Sequence, residues 1–380
     1  MKKYLLILSA ILISVLCQAQ QLEWYNPEKA GFNVMQGQIL PSEQRECIYH
    51  RLPVRFKDSV RSRVWNLSKM SAGETICFST DSRTIKVKYT LRRGHSMAHM
   101  PATGVSGMDL YTRDKDGKEV WLKANYSFKD TCVYTYGPIV LENSDDRYHS
   151  YTLYLPLYNE VSFLEIGVDE GAKFRFEIPS QSRPVVAYGT SICQGACASR
   201  PAMAWTNILQ RRLDRTVVNL GFSGNCMMEK EVIDILAEVD AAIYIFDGMP
   251  NLFAVPAPSL QDTLVKAVRR LREKRPDTPI VLTDHCGYPH GKAVKKAREE
   301  EKHALESLEA AYKQLLDEGI DGLYRLRYED IGMQAEMTVE GIHMSDYGMT
   351  AYADAYESLL KKILKKTLGR TVVSKRSRTN

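Results

Sequence analysis

Alternation of apolar and polar residues dominates the first half of the chain. Residues 85–91, 151–157 and 173–178 each place apolar side chains at every second position, the period of a strand with one buried face. Clusters of Asp, Asn and Gly at 114–117 and 143–146 separate such runs and are typical of hairpin turns. The pattern predicts an antiparallel β-sandwich domain over residues 21–180.

The pattern changes after residues 179–184, a stretch rich in Pro and Ser. Short continuous apolar runs then alternate with longer stretches of helical period. The apolar runs are 185–188, 217–220, 241–246 and 280–282, and the helical stretches are 201–213, 228–237, 258–275, 293–318 and 347–364. Continuous apolar strands are typical of a parallel sheet covered on both faces, with helices as crossovers. The sequence therefore predicts an α/β fold, a three-layer, doubly wound α/β/α domain, over residues 184–364.

The N-terminus has the pattern of a secretory signal peptide. Lys2 and Lys3 precede an apolar run over residues 4–16, and small residues allow cleavage after Ala19. This run is too short for a membrane span, and no later stretch is long enough. Leu16 stands where a lipoprotein signal needs a small residue before Cys17. We therefore expect residues 1–19 to be removed and the protein to be exported, either periplasmic or secreted, with no integral membrane span.

The formal net charge of +5 is concentrated at the C-terminus. Residues 365–380 contain six basic residues and no acidic one, whereas the body between signal and tail has 43 basic and 46 acidic residues. We expect this tail to be disordered. Because the body is slightly acidic, we predict no nucleic-acid partner. The sequence gives no oligomeric state.

Seven cysteines remain once Cys17 leaves with the signal, and an odd number cannot all pair. A disulfide from Cys193 or Cys197 to Cys226 stays open, since export would permit one. His95 and His99 lie four residues apart in a loop-like segment rather than on a helix. We predict no metal site.

Four short motifs carry the candidate chemistry, and each follows a predicted strand or precedes the last helix. They are Gly189-Thr190-Ser191, Asn219-Leu220-Gly221-Phe222-Ser223-Gly224-Asn225, Asp247-Gly248-Met249-Pro250-Asn251 and Glu340-Gly341-Ile342-His343. The carboxyl ends of parallel strands meet at one edge of a sheet, which is where such folds place their ligands. We therefore expect the four motifs to share one site.

These residue types supply the parts of a serine esterase. Ser191 would be the nucleophile, because a hydroxyl becomes reactive when a base such as His343 takes its proton. Glu340 is the nearest carboxylate that could orient the imidazole. Gly224, Asn251 and the Ser191 backbone would donate to the oxyanion of the tetrahedral intermediate.

The order Ser, Gly, Asn, His resembles the SGNH (GDSL-like) hydrolase superfamily across residues 184–364. The segment 188–201 is similar to a bacterial subgroup that carries an N-terminal β domain with a Gly-x-Asp-Leu-Tyr motif. That motif stands here as Gly107-Met108-Asp109-Leu110-Tyr111. The resemblance implies a flavodoxin-like catalytic sheet and ester hydrolysis, commonly the removal of acetyl groups from carbohydrate. It also implies that the loop 94–107, with His99, reaches the catalytic edge and binds substrate.

Two departures from the family pattern matter. Gly-Asp-Ser is Gly-Thr-Ser here, which keeps the nucleophile, and Asp-x-x-His is Glu340-x-x-His343. The longer side chain needs a different rotamer or a shifted backbone. Asp346 is an alternative partner, although we prefer it as a helix cap. A backbone carbonyl would be the third way to orient His343.

We therefore predict an exported carbohydrate acetylesterase that needs no cofactor and acts on small-molecule or oligosaccharide esters. His285 follows the fourth strand, so it is a second predicted substrate contact. Two alternatives stay open. One is an esterase for other acyl groups, such as a lysophospholipase or thioesterase, and the other is a carbohydrate-binding protein whose hydrolase half has lost activity.

Overall fold

The computed structural model describes residues 21–142 and 148–376, with side chains described up to residue 367. The predicted signal peptide, residues 1–19, and the last four residues of the predicted tail lie outside the described residues.

The N-terminal region is built mainly from antiparallel strands. Its strands are β1 (Leu22–Tyr25), β2 (Met35–Gln36), β3 (Thr75–Thr80), β4 (Ile85–Leu91), β5 (Asp109–Arg113), β6 (Glu119–Leu122), β7 (Thr131–Tyr136), β8 (His149–Tyr154), β9 (Val161–Asp169) and β10 (Phe174–Phe176). Helices α1 (Ser62–Ser68) and α2 (Ala102–Val105) and 3₁₀ turns at Pro27–Lys29 and Val54–Phe56 interrupt them. One sheet has the order β1-β9-β4-β7, and the other has the order β10-β3-β8-β5-β6, with β2 added beside β3.

The predicted alternation places one face of each of these sheets in a common apolar cluster. Ile76 and Phe78 of β3 and Val87 and Tyr89 of β4 are fully buried in it. Phe78 stacks on Tyr151 of the neighbouring strand, with ring centroids 5.5 Å apart. The antiparallel region is thus confirmed, whereas a sandwich arrangement of its two sheets stays a prediction.

The C-terminal region alternates strands and helices. Its strands are β11 (Val185–Gly189), β12 (Val217–Gly221), β13 (Ile243–Asp247), β14 (Ile280–Thr283) and β15 (Leu323–Leu326). Its helices are α3 (Ser191–Gln194), α4 (Trp205–Leu213), α5 (Lys230–Glu238), α6 (Met249–Leu252), α7 (Ala257–Lys274), α8 (Lys295–Asp317), α9 (Tyr328–Ile331) and α10 (Asp346–Arg376), with 3₁₀ turns at Pro201–Met203 and Ala335–Met337. All strand pairs are parallel, in the order β12-β11-β13-β14-β15, which is the flavodoxin-like order 2-1-3-4-5.

Both faces of this sheet are covered, as continuous apolar strands predict. Val186 and Tyr188 of β11 belong to the apolar cluster that includes residues of α5, α7 and α8. Val185 and Ala187 belong to the cluster that includes residues of α4 and α10. Successive side chains along β11 therefore point alternately into the two apolar clusters on opposite faces of the sheet. The mixed α/β fold with a flavodoxin-like sheet is confirmed.

Three further features of the chain bear on expectations from the sequence. Helix α10 continues through residues 365–376, where we expected a disordered tail. Among the described residues no helix combines the length and apolarity that a membrane span requires. The cysteines among the described residues are free thiols, so the disulfide left open for Cys193 or Cys197 with Cys226 does not form.

Buried polar contacts join the N-terminal region to the parallel sheet. The Arg51 guanidinium, 1% exposed, donates to the backbone oxygens of Asn219 at 3.0 Å and Gly221 at 2.8 Å. Asp109, also 1% exposed, accepts from Arg200 at 3.1 Å and from the backbone N–H of Ala202 at 2.8 Å. Hydrogen bonds to charged groups contribute more than neutral ones. These contacts hold β12 and the loop after α3 against the N-terminal region.

Candidate active site

Ser191 is the first residue of α3, directly after strand β11. Thr190 caps this short helix, and its hydroxyl accepts from the Ile192 N–H at 3.2 Å. The turn is tight, because a Cβ at Gly189 would lie only 2.5 Å from the Cβ of Cys193. Ser191 itself is 7% exposed. The strand-to-helix turn thus holds its hydroxyl at the carboxyl edge of the sheet.

His343 lies within bonding distance of that hydroxyl. Its Nε2 is 2.9 Å from Ser191 Oγ, across 152 positions of sequence. On the other side of the ring, Nδ1 is 2.8 Å from Glu340 Oε1. The same carboxylate oxygen accepts from the His343 backbone N–H at 2.6 Å. The serine, the imidazole and the carboxylate therefore form one continuous chain of hydrogen bonds.

The Glu340–His343 turn explains how a glutamate fits this position. Gly341 has a φ of +90°, a conformation that side-chain-bearing residues rarely adopt. Val339 N–H donates to the His343 carbonyl at 2.9 Å and closes the turn. The left-handed glycine brings the longer carboxylate back onto the imidazole. Glu340 thus contacts both the backbone N–H and the ring of His343 in this turn.

The environment of the imidazole favours its neutral form. Burial lowers the pKa of His343 below its usual 6.5; Glu340 acts in the opposite direction and His99 adds to the lowering. A neutral imidazole with Nδ1–H directed at a carboxylate presents its Nε2 lone pair to Ser191. This is the protonation state that a general base needs at neutral pH.

Asp346, the alternative partner, is engaged elsewhere. Its carboxylate accepts from the backbone N–H of Ser199 at 2.8 Å and from the Ser199 hydroxyl at 2.5 Å. It is also not the helix cap we preferred. Ser345 precedes α10, and its hydroxyl accepts from the Gly348 N–H at 3.4 Å. Asp346 instead ties the start of the last helix to the loop after α3.

Gly224 and Asn251 follow the two strands that flank β11. Gly224 comes after β12 in a left-handed turn with a φ of +65°, and Asn251 lies in α6 after β13. The Asn251 side-chain oxygen accepts from the Cys226 N–H at 3.1 Å, which leaves its Nδ2 as a donor. Both residues thus stand at the same sheet edge as Ser191, one on each side.

The two predicted substrate contacts differ sharply. The His99 side chain is partly exposed, and its ring centroid lies 5.3 Å from that of His343, so the loop 94–107 does reach the catalytic edge. His285 is 0% exposed, and its Nδ1 accepts from the Gly287 N–H at 3.0 Å. Burial lowers the pKa of His285 to about 4. Its place directly after a buried strand puts it beneath the surface, so it offers no atom to a substrate, contrary to the prediction.

Sequence reasoning missed the residues that hold the turns in place. Gln194 Oε1 accepts from the Ser223 N–H at 3.0 Å and links α3 to the Gly224 turn. The Tyr158 hydroxyl donates to the Ser191 carbonyl at 3.1 Å. Gln194 lies three residues after Ser191, and this closeness in sequence could have marked it as part of the site. Tyr158 belongs to the N-terminal region, and nothing in its sequence position points to Ser191. The Gly-x-Asp-Leu-Tyr motif did mark Asp109, but its role in binding Arg200 was not predicted.

One group of side chains has the composition of a metal site. His99, Cys197 and His343 each offer a ligand atom, and these atoms lie within 4.8 Å of one another. The residues come from three separate segments, so sequence spacing gave no hint of them. We had expected no metal site from the pair His95 and His99.

Comparison with known proteins shows which family the chain belongs to. Residues 182–361 match the model of the GDSL-like lipase/acylhydrolase family, and residues 22–174 match the N-terminal GxDLY model of SGNH-hydrolase-type esterases. A GDSL-like lipase from Bacteroides ovatus is 31% identical, with 91% of this chain and 98% of that chain covered and a TM-score of 0.81. The chain belongs to the GDSL-like lipase/acylhydrolase family. Membership of this family supports a carboxylic ester hydrolase.

Other solved structures share the fold of this GDSL-family chain at lower identity. A salicylyl-acyltransferase, SsfX3, from a tetracycline biosynthetic pathway is 17% identical, with 91% and 98% of the two chains covered and a TM-score of 0.69. A family two carbohydrate esterase from Cellvibrio japonicus is 12% identical, with 77% and 90% covered and a TM-score of 0.50. No curated protein gave a significant match.

Proposed function

We propose that this GDSL-family protein is an exported serine esterase that removes O-acetyl groups from carbohydrate. The observation that carries the proposal is the chain from Ser191 Oγ to His343 Nε2, at 2.9 Å, and from His343 Nδ1 to Glu340, at 2.8 Å. Nucleophile, base and orienting carboxylate in hydrogen-bond contact are the arrangement of a serine hydrolase triad.

The reaction would have two halves. Ser191 Oγ attacks the ester carbonyl carbon while its proton passes to His343 Nε2, and the carbonyl oxygen becomes an oxyanion. The Ser191 and Gly224 backbone N–H groups and the Asn251 amide stabilise that oxyanion. The intermediate collapses, the C–O bond to the sugar breaks, and the sugar oxygen takes the proton from His343. Water then attacks the acyl-serine in the same way and releases acetate.

The choice of carbohydrate acetyl esters as substrate is supported by the family resemblance and by one residue beside the candidate triad. The resemblance to the GxDLY subgroup favours carbohydrate acetyl esters, and carbohydrate esterases occur among structures of the same fold. The partly exposed His99 next to His343 gives a polar group beside the reacting atoms. Export rests on the signal pattern of residues 1–19.

The experiment compares acetylated oligosaccharides with p-nitrophenyl esters of increasing acyl length. Ser191→Ala is expected to lower turnover on the order of 10⁴-fold or more, as removal of a triad nucleophile does. Ser259→Ala, at an exposed position of α7, is the matched control and should behave as wild type. Unchanged turnover in Ser191→Ala would contradict the proposed chemistry. Equal rates on long acyl chains would favour a lipase or thioesterase, and glycan binding without turnover would favour a binding protein.

A further inference from the structure

Two imidazoles and a thiol meet beside the candidate nucleophile, each from a different segment. His99 comes from the loop between β4 and α2, Cys197 from the loop after α3, and His343 from the loop before α10. Their potential ligand atoms lie within 4.8 Å of one another. Imidazole and thiolate are ligands that Zn²⁺ and similar thiophilic cations prefer, while carboxylate and water suit Mg²⁺ and Ca²⁺.

The three segments are joined to one another by hydrogen bonds. The Cys197 N–H donates to the carbonyl of Met344, the neighbour of His343, at 3.1 Å. The Thr103 hydroxyl donates to the Ser199 carbonyl at 2.6 Å and so connects the His99 loop to the Cys197 loop. His99 itself lies in a turn closed by hydrogen bonds in both directions between Met97 and Met100, at 3.1 and 3.2 Å. The proximity of the three groups is therefore supported by their backbones.

The spacing is close to that of a tetrahedral site. Zn–N distances of about 2.0–2.1 Å and Zn–S distances of about 2.3 Å put ligand atoms roughly 3.3–3.8 Å apart. Side-chain atoms up to 4.8 Å apart reach that spacing with shifts of about 1 Å. His99 is partly exposed, whereas Cys197 is buried.

We propose that His99, Cys197 and His343 bind a thiophilic divalent cation, with Zn²⁺ as the representative, and that its binding reversibly stops ester hydrolysis. A metal on Nε2 of His343 occupies the lone pair that would accept the Ser191 proton. A metal on Nδ1 displaces Glu340. Either mode removes the imidazole from the hydrogen-bonded chain, so the cation is an inhibitor and not a cofactor. Binding stands on the geometry alone, whereas inhibition rests on the proposed esterase function.

Metal binding is tested directly on the full-length protein, without an activity readout. We expect Zn²⁺ titration by calorimetry to give a site that Cys197→Ser weakens at least tenfold and His99→Ala weakens as well. Cys77→Ser, at a half-buried thiol of β3, is the matched control and should keep wild-type affinity. Co²⁺ should give a thiolate charge-transfer band that Cys197→Ser abolishes and Ser191→Ala retains. Thermal unfolding without metal checks that each variant is folded.

Inhibition is tested on the same proteins with p-nitrophenyl acetate. Zn²⁺ should inhibit the wild type and EDTA should restore its rate. Cys197→Ser should hydrolyse the ester at the wild-type rate without metal and need at least ten times more Zn²⁺ for the same inhibition. Equal Zn²⁺ affinity and equal sensitivity in wild type and Cys197→Ser would overturn the proposed site. A cobalt–thiolate band in a protein without esterase activity would support the site and overturn the esterase function and the inhibition that rests on it.

Discussion

Replacement of Glu340 by Gln isolates the role of the carboxylate in the proposed triad. In the wild type the His343 backbone N–H donates to Glu340 Oε1 at 2.6 Å. The glutamine amide has the same size and keeps an oxygen that can accept this hydrogen bond. It removes the negative charge that lies 2.8 Å from Nδ1. That charge matters most when the imidazole becomes positive, which happens as Ser191 attacks. The substitution should therefore lower the rate while leaving the turn intact.

The expected size follows from the contact and its exposure. Unit charges about 4 Å apart attract by about 4 kcal/mol at an effective dielectric constant near 20. The Glu340 side chain is 34% exposed, so solvent screening reduces this interaction. We take the screened interaction to be roughly half to three quarters of this value, about 2–3 kcal/mol. At about 1.4 kcal/mol per tenfold change in rate, its loss should lower kcat/KM about 30- to 150-fold. A fully buried carboxylate would be expected to cost more.

The assay is the pH–rate profile of p-nitrophenyl acetate hydrolysis for Glu340→Gln and two controls. Glu336→Gln removes an exposed carboxylate of the same segment, and Asp346→Asn removes the one that contacts Ser199. Both controls should retain kcat/KM within about fivefold of wild type, because neither carboxylate contacts the imidazole in the structure. A rate for Glu340→Gln within threefold of wild type, or a larger loss in Asp346→Asn, would refute the assignment of Glu340.

Four further predictions concern other parts of the molecule. Asn251→Ala should lower kcat by roughly 100- to 1000-fold with little change in KM, as steady-state kinetics would show, because an oxyanion donor is lost; a KM effect alone would contradict this role. The acid limb of kcat/KM should lie below pH 6.5, since activity needs neutral His343 and burial lowers its pKa; Glu340→Gln should move the limb lower still. Asp109→Asn should reduce the free energy of unfolding, measured with denaturant, by about 3 kcal/mol, because Arg200, whose side chain is only 19% exposed, would lose the buried carboxylate that pairs with it. Burial keeps His285 neutral in the folded protein down to its pKa of about 4, whereas the unfolded chain binds a proton near pH 6.5, so the free energy of unfolding should fall as the pH drops between these values. From pH 7 to pH 5 the free energy of unfolding of the wild type should decrease by about 2 kcal/mol more than that of His285→Asn.

The sequence predicted those parts of the fold that local patterns encode. Alternation over residues 85–91 marked β4, and continuous apolar runs marked β11 and β13 within a residue or two of their observed bounds. Strands β11 and β13 are buried at every position, so their apolar runs report burial directly. The packing of the two antiparallel sheets depends on side-chain contacts between distant strands, and the pattern of a single strand does not contain it.

The candidate site was predictable where motif and sheet position coincide. Ser191, Gly224 and Asn251 each follow a parallel strand, so the topology of the fold already gathers them at one edge. His285 obeys the same rule and is nevertheless buried, because position after a strand fixes the edge and not the depth. Cys197 was not predicted beside His343 because that proximity depends on two loops whose course no periodic pattern describes.

The loop between α3 and α4 explains why the N-terminal region belongs to the site. Asp346, at the start of the helix that follows His343, binds Ser199 in this loop. The loop is in turn held from the other side, where Asp109 accepts from the Ala202 N–H at 2.8 Å. A shift of the N-terminal region would therefore reach His343 through this loop without touching the substrate. Since reactions of this kind depend on placement to within about half an ångström, a loosened Asp109 contact should lower kcat as well as stability, although Asp109 contacts no reacting atom.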